Sequence, residues 1–183
     1  MNSLPDIYYI EKIQAGETEC FAVLLERYSR SVYSLVVKIV GNREDAEELT
    51  QDVFLKVFRS LSSFQGNSSF STWLYRIAYN VAISATRKKK YEWTAIEESM
   101  IEKVSESEAG DELEQLEKEE QLSRLEKAIT QLSPDERALV LLFYIQEKSI
   151  EEIVEITKLS TSNVKTKLHR IRKKMVVLMQ AME

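Results

Sequence analysis

One cysteine, one histidine, two prolines and four glycines are all that 183 residues hold of the types that staple, ligate or break a chain. The lone Cys20 excludes an internal disulfide and, set in an apolar stretch, fits a small buried hydrophobe in a reducing compartment. Little Gly and Pro leaves scant material for tight turns, and β-branched runs are short, so an all-helical chain is expected. His169 has no second histidine to join, which argues against a His-based metal site or catalytic dyad. Without a Gly-rich phosphate loop or a paired ligand motif, an enzyme is disfavoured and no cofactor is expected. The most apolar window, 20–40, is broken by Glu26, Arg27, Arg30 and Lys38, so it does not read as a membrane span. No basic segment leads into an apolar one near the start, so no secretory signal is read. The expectation is a cytoplasmic protein without membrane insertion.

Charge is abundant and unevenly placed. The net of −5 conceals twelve acids against two lysines within 92–120. Residues 158–174 carry seven Lys/Arg and no acid, and 76–90 carry five and no acid. Two basic patches separated by an acidic connector point toward a polyanionic partner despite the acidic total.

Hydrophobic periodicity predicts a short helix over 6–14 ended by Gly16, then a longer one carrying Phe21, Leu24, Leu25, Tyr28, Val32, Leu35, Val36 and Ile39, stopped by Gly41. A third runs from about Glu44 to Leu61, with Ala46, Leu49, Val53, Val57 and Leu61 inward and an acidic first turn. After a polar loop at 62–69 comes a helix over 70–87. Low hydrophobicity, many acids and a Gly110-Asp111 break mark 92–112 as a flexible linker between domains at 1–91 and 113–183. A stripe of Leu113, Leu116, Leu122, Leu125, Ile129 and Leu132 begins the second domain. Ser133 and Ser149 each have Glu three residues on, two capping boxes, and Pro134 suits a first helical position. A turn at Lys158-Leu159 and a cap at Ser160 open a last helix to about Met179. Short helix, tight turn and longer basic helix make a helix-turn-helix.

On a helical wheel, Val164, Leu168, Ile171, Met175 and Leu178 fall on one face of that last helix. Ser162, Lys165, Thr166, His169, Arg170 and Lys173 fall on the other. Such a helix fits the major groove, where Arg and Lys match guanine acceptors and hydroxyls reach base edges or phosphates. A merely solvated face would mix signs for i, i+4 pairing; this one does not.

The same wheel over 70–87 assigns Phe70, Leu74, Ile77, Ala78, Val81 and Ala85 to the core. Arg76, Asn80 and Arg87 line a flank, with Trp73 at its border, read as mostly core, and Tyr75 and Tyr79 further round. Cations beside an amide and aromatics suit a nucleic-acid strand: charge holds phosphate, the amide reads a base edge, rings stack on bases. Asn80 is mid-helix, where Asn forms helix poorly and no cap explains it. Gly66, Asn67, Ser68 and Ser69 before the helix offer hydrogen bonds to a flipped base, though such a loop also serves as an ordinary connector.

The stretches EDAEELTQDVFLKVF (44–58), FQGNSSFSTWLYRIAYNVA (64–82), LSPDERALVLLFY (132–144) and VKTKLHRIRKKM (164–175) resemble bacterial RNA polymerase sigma factors of the extracytoplasmic-function group. The resemblance implies an all-α protein of two helical domains, sigma regions 2 and 4, that binds core RNA polymerase and promoter DNA. It implies that the exposed side of 44–60, including Glu48, Gln51, Asp52, Leu55 and Lys56, docks on the β′ clamp helices, with the β flap as a second contact. It carries −10 strand binding to Asn67, Ser68, Arg76, Asn80 and Arg87, and −35 duplex reading to Lys165, Thr166, His169 and Arg170, within the face already drawn. An anti-sigma factor is a further partner of many members, and the acidic linker of such proteins threads channels that normally hold RNA.

Departures from the family pattern are Val154 and Ile171 where Ala is common and Lys158 where the turn commonly has Gly. A non-Gly residue in a left-handed turn costs on the order of 1 kcal/mol, so a differently shaped turn is expected. The rival reading, a helix-turn-helix regulator that binds DNA alone, accounts for the C-terminal half but leaves 44–90 without a task.

Overall fold

In the computed structural model, which describes residues 4–88 and 118–181, every regular element among the described residues is a helix. In chain order these are α1 (Asp6–Gln14), α2 (Phe21–Val40), α3 (Arg43–Ser60), α4 (Phe70–Lys88), α5 (Lys118–Gln131), α6 (Pro134–Val140), α7 (Ile150–Thr157) and α8 (Thr161–Gln180). Short 3-10 turns at Thr18–Cys20 and Leu61–Ser63 and a π turn at Leu141–Ile145 join some of them. The expected linker 92–112, together with Leu113 and Leu116, lies outside the described residues.

The helix boundaries follow local chemistry. Gly41 takes a left-handed φ of 74° at the end of α2 and returns its N–H to Val37 O. Asn42 then caps α3, its side chain accepting from Asp45 N at 3.0 Å. This two-residue link folds α2 and α3 into a hairpin on which α4 packs. Their shared core holds Leu24, Val32, Leu35, Ile39, Val53, Val57, Leu74 and Ala78, all essentially inaccessible. Each large aliphatic removed from water here contributes roughly 1.5–3 kcal/mol. The inward stripe read over 44–61 omitted Phe54, which is buried, whereas Leu49 is only half-buried.

In the C-terminal unit both capping boxes form: Ser133 with Glu136, and Ser149 with Glu152. Leu122 is 60% exposed, so the packing stripe of α5 starts at Leu125 and runs to the buried Ala128 and Leu132. Val164, Leu168, Ile171, Met175 and Leu178 of α8 are buried as expected, and Val176, Val177 and Met179 join them near its end. Lys158 adopts φ 61° and ψ 19°, so the turn keeps its left-handed shape with Lys in place of Gly. The altered turn expected from that substitution is therefore not what forms: the chain absorbs the strain of about 1 kcal/mol, since the Lys158 N–H is held by Val154 O at 2.8 Å.

The two units pack on each other, α7 against α4 and α6 against α2. Arg137 anchors the second contact. The residue is 9% exposed, and its guanidinium donates to Lys38 O at 2.8 Å and Ile39 O at 3.4 Å at the end of α2, and to Ile129, Thr130 and Leu132 carbonyls at the end of α5. A cation fits where two helix ends turn carbonyl oxygens, and the negative ends of their dipoles, toward one point.

Candidate nucleic-acid interface

Helix α4 starts at a fixed point. Ser69 Oγ accepts from Thr72 N at 3.1 Å and lies 2.8 Å from Thr72 Oγ1. Before it, Gln14 of α1 donates to Leu61 O and Phe64 O, tying the loop base to the body. Phe64, Phe70 and Trp73 pack ring against ring, with centroids 5.2 to 6.0 Å apart, and Tyr28 meets Phe70 at 5.5 Å. Trp73 is thus half-buried, an anchor of the loop. Gly66 has φ 71° at the loop tip with open space beside it. Asn67 is exposed there, its amide 3.4 Å from Gln65 Oε1, and Ser68 is half-buried.

Along α4, Asn80 and Arg87 are exposed and Arg76 is half-buried, so the cation–amide–cation flank exists as a surface. The two tyrosines do not belong to it. Tyr75 is 4% exposed, its hydroxyl donating to Gln146, and Tyr79 OH reaches Asp135 at 3.2 Å. Burial and the Asp135 carboxylate push the Tyr79 phenol up to about 12. Tyr75 is covered by the C-terminal unit and Tyr79 is half-buried against it, contacts no wheel of α4 alone can show.

Asn80 sits on a border. On one side is the Arg76–Arg87 flank; on the other, a groove of about 700 Å³ between α3 and α4. Val40, Leu49, Ile77 and Val81 contribute its apolar lining, and Asp45, Glu48, Asp52 and Lys56 its charges. Three carboxylates beside one lysine repel phosphate, so a strand backbone is favoured on the arginine side only.

The five α3 residues Glu48, Gln51, Asp52, Leu55 and Lys56 are all exposed and form one band of the helix, but grooves on both sides divide them. Glu48, Asp52 and Lys56 line the groove shared with Asn80, whereas Gln51 and Leu55 line a second one of about 830 Å³ with Phe21, Leu25, Phe54 and Phe58. Leu25, Leu55 and Phe58 are 39%, 51% and 41% exposed, an apolar patch of the kind that marks a protein-docking surface. Phe21 and Leu25 were read from sequence only as part of the apolar stripe of α2, and Phe58 was not singled out; their signal is apolar residues in excess of one inward stripe.

On α8, Ser160 caps the first turn by accepting from Asn163 N at 3.2 Å. Ser162, Lys165, Thr166 and Arg170 are exposed, and His169 and Lys173 are half-buried on the same side. Of the seven cations in 158–174, Lys174 has a structural task. It binds Glu136 of α6 at 2.9 Å and, against the opposing effect of burial, helps hold that carboxyl below its usual value. Tyr144 and Ile145, at the π turn, leave a second apolar pair exposed at 47% and 51%.

Among the described residues no group of His, Cys, Asp and Glu is arranged to hold a metal ion, and no helix is long and apolar enough to cross a membrane.

Comparison with known proteins agrees with this organisation. Residues 24–91 match the family model for sigma-70 region 2, and residues 122–175 match that for sigma-70 region 4. The chain is 32% identical to the ECF RNA polymerase sigma factor SigW of Bacillus subtilis over 176 residues, covering 89% of this chain and 90% of that protein. It is 32% identical to the ECF RNA polymerase sigma-E factor of Escherichia coli over 175 residues, covering 92% and 91%. Among solved structures, the fold is similar to CnrH in complex with the cytosolic domain of CnrY (TM-score 0.70, 20% identity, 96% and 97% covered). It is also similar to the sigma factor RpoE in complex with the anti-sigma factor NepR from Bartonella quintana (TM-score 0.64, 22% identity, 87% and 96% covered).

Proposed function

The chain belongs to the extracytoplasmic-function group of sigma-70 factors, transcription initiation factors that direct RNA polymerase to promoters, and from that premise we propose how its surfaces divide the work. Residues 1–91 form the domain that docks on polymerase and takes the opened −10 nontemplate strand; 113–183 form the domain that reads the −35 duplex. The polar face of α8, from Ser162 and Lys165 to Arg170 and Lys173, lies in the major groove, with Arg170 set for guanine and the lysines for phosphate. The strand runs along Arg76 and Arg87, its base edge toward Asn80 and a flipped base toward Asn67 and Ser68. The reading rests above all on one observation: an exposed Asn80 between a cationic flank and an acidic groove, an arrangement that admits a base while steering its phosphate to one side.

The α3 band docks on the β′ clamp helices, its Gln51–Leu55 edge supplying apolar contact and its Glu48–Asp52–Lys56 edge supplying charge. Tyr144 and Ile145 are suited to the β flap. An anti-sigma factor, the partner present in the NepR complex, would compete for the same α3 groove. The protein acts by binding, without catalysis of its own, in the cytoplasm where polymerase is.

Asn80→Ala tests the strand assignment. Core polymerase binding is retained, while permanganate reactivity of thymines in the −10 region falls by roughly tenfold or more, from loss of a base-edge contact of about 1–3 kcal/mol. Undiminished melting would remove Asn80 from that role.

A further inference from the structure

Helix α1 lies before residue 24, where the match to sigma-70 region 2 begins, and none of the proposed contacts uses it. At nine residues it is too short to hold itself in water. Ile10 and Ile13 bury one side of it against α2 and the Leu61–Ser63 turn. Arg27 of α2 fastens its start, pairing with Asp6 and donating to Leu4 O at 3.0 Å.

Both ends of α1 then reach the same segment, the 61–69 loop that opens α4. From its last residue, Gln14 Nε2 donates both protons, to Leu61 O at 2.9 Å and to Phe64 O at 3.1 Å. The Phe64 N–H donates to the same Leu61 O at 3.1 Å, so the entry of the loop is gathered at one point. From its first residue, Asp6 accepts from the Tyr28 hydroxyl, and the Tyr28 ring meets Phe70 edge-on at 5.5 Å. Phe70 packs in turn on Phe64 and Trp73. The entry is thus held directly and the exit through one tyrosine. Between these two anchors lies the tip, with exposed Gln65 and Asn67, half-buried Ser68 and a left-handed Gly66.

If α1 only completed the core, Ile10 and Ile13 would suffice. Two hydrogen bonds from an exposed Gln14 to loop carbonyls add nothing to apolar burial. They do fix the loop, and a loop fixed beforehand loses less conformational entropy when it takes a ligand.

We propose that α1 braces this loop, with Gln14 and Asp6 as positioning residues that hold its two ends so that Asn67 and Ser68 meet an unstacked base in one geometry. The service to a base rests on the proposed role of Asn67 and Ser68; the brace itself does not.

The test uses the full chain with Gln14→Met, which keeps the length and removes both donors, and separately with Tyr28→Phe, which keeps the ring and frees it from Asp6. In the free chain, amide hydrogen exchange at Phe64 should quicken about tenfold in Gln14→Met, and at Thr72 several-fold in Tyr28→Phe, with the Val57 and Ala78 amides unchanged. In holoenzyme with core polymerase, a pre-melted promoter fragment then carries an abasic site moved along its −10 nontemplate strand. For the wild-type chain, removing one particular base should weaken binding about tenfold, a penalty that Asn67→Ala reduces. Gln14→Met should shrink that penalty to about two- to threefold while leaving −35 discrimination as it was. Unaltered exchange at Phe64, an unaltered penalty, or equal loss of binding on intact and abasic strands would overturn the brace. Quickened exchange with no base-dependent penalty in any of the proteins would support the brace and refute the role of Asn67 and Ser68.

Discussion

Arg137 shows how much one residue can hold. Its guanidinium gathers carbonyls from the ends of α2 and α5, and no neutral or shorter side chain reaches both. Arg137→Ala leaves those buried oxygens without a donor and is expected to cost about 2–4 kcal/mol. For a chain of this length that lowers the thermal midpoint by roughly 4–16 °C, checked by calorimetry. Arg170 has the opposite character, exposed on the reading face of α8. Arg170→Ala should leave the midpoint within about 1 °C and cost roughly 1–3 kcal/mol in discrimination between promoter sequences. Equal loss on every duplex would make it a phosphate contact instead. Neither role is visible from residue type alone, since both are arginines in helical sequence with apolar neighbours.

At the scale of elements, local rules carried far. The helix starts at Ser133, Ser149 and Ser160 were legible because a capping hydroxyl and the backbone N–H that donates to it lie within three residues. The core face of α8 was legible because 3.6-residue periodicity needs no partner to be seen; on α4 it held for Phe70, Leu74, Ala78 and Val81, whereas Ile77 and Ala85 line the groove and Ala82 and Ile83 are buried. What escaped depended on a second element: Tyr75 under Gln146, Lys174 on Glu136, and the apolar groove that Phe21 and Leu25 of α2 share with Leu55 of α3. Lys158 is a case where the local rule and the outcome differ, the left-handed turn forming without glycine. Lys158→Gly should relieve that strain and raise stability by up to about 1 kcal/mol, seen as a midpoint higher by roughly 2–4 °C.

The α4–α7 contact also has a definite pH response. Burial alone would raise the Glu152 carboxyl, but hydrogen bonds from Lys148 and Thr72 outweigh it and bring the group from 4.5 down to about 2. A carboxyl depressed in the folded state contributes stability above its ordinary value and loses it as pH falls toward the folded one. Glu152 is partly exposed, so solvent screens the gain. The contact should be unchanged from pH 8 to 5 and loosen between about 4.5 and 2. Thermal midpoints that dropped between pH 8 and 6 would contradict this.

For the whole molecule, charge that sums to −5 is misleading because its two basic faces belong to helices of different units. That separation was legible in sequence. The closed packing of the two units was not, because it depends on residues from Ser71 to Glu152 meeting across the fold. The central claim is that this chain gives core polymerase a promoter specificity the core lacks. Its most direct test is run-off transcription with purified core polymerase on genomic fragments, with start sites mapped. The account predicts starts that require the protein, share two sequence motifs about 25 base pairs apart, and weaken by roughly tenfold with Asn80→Ala. Starts that core polymerase makes unaided, or duplex binding by the protein with no association to core, would contradict it.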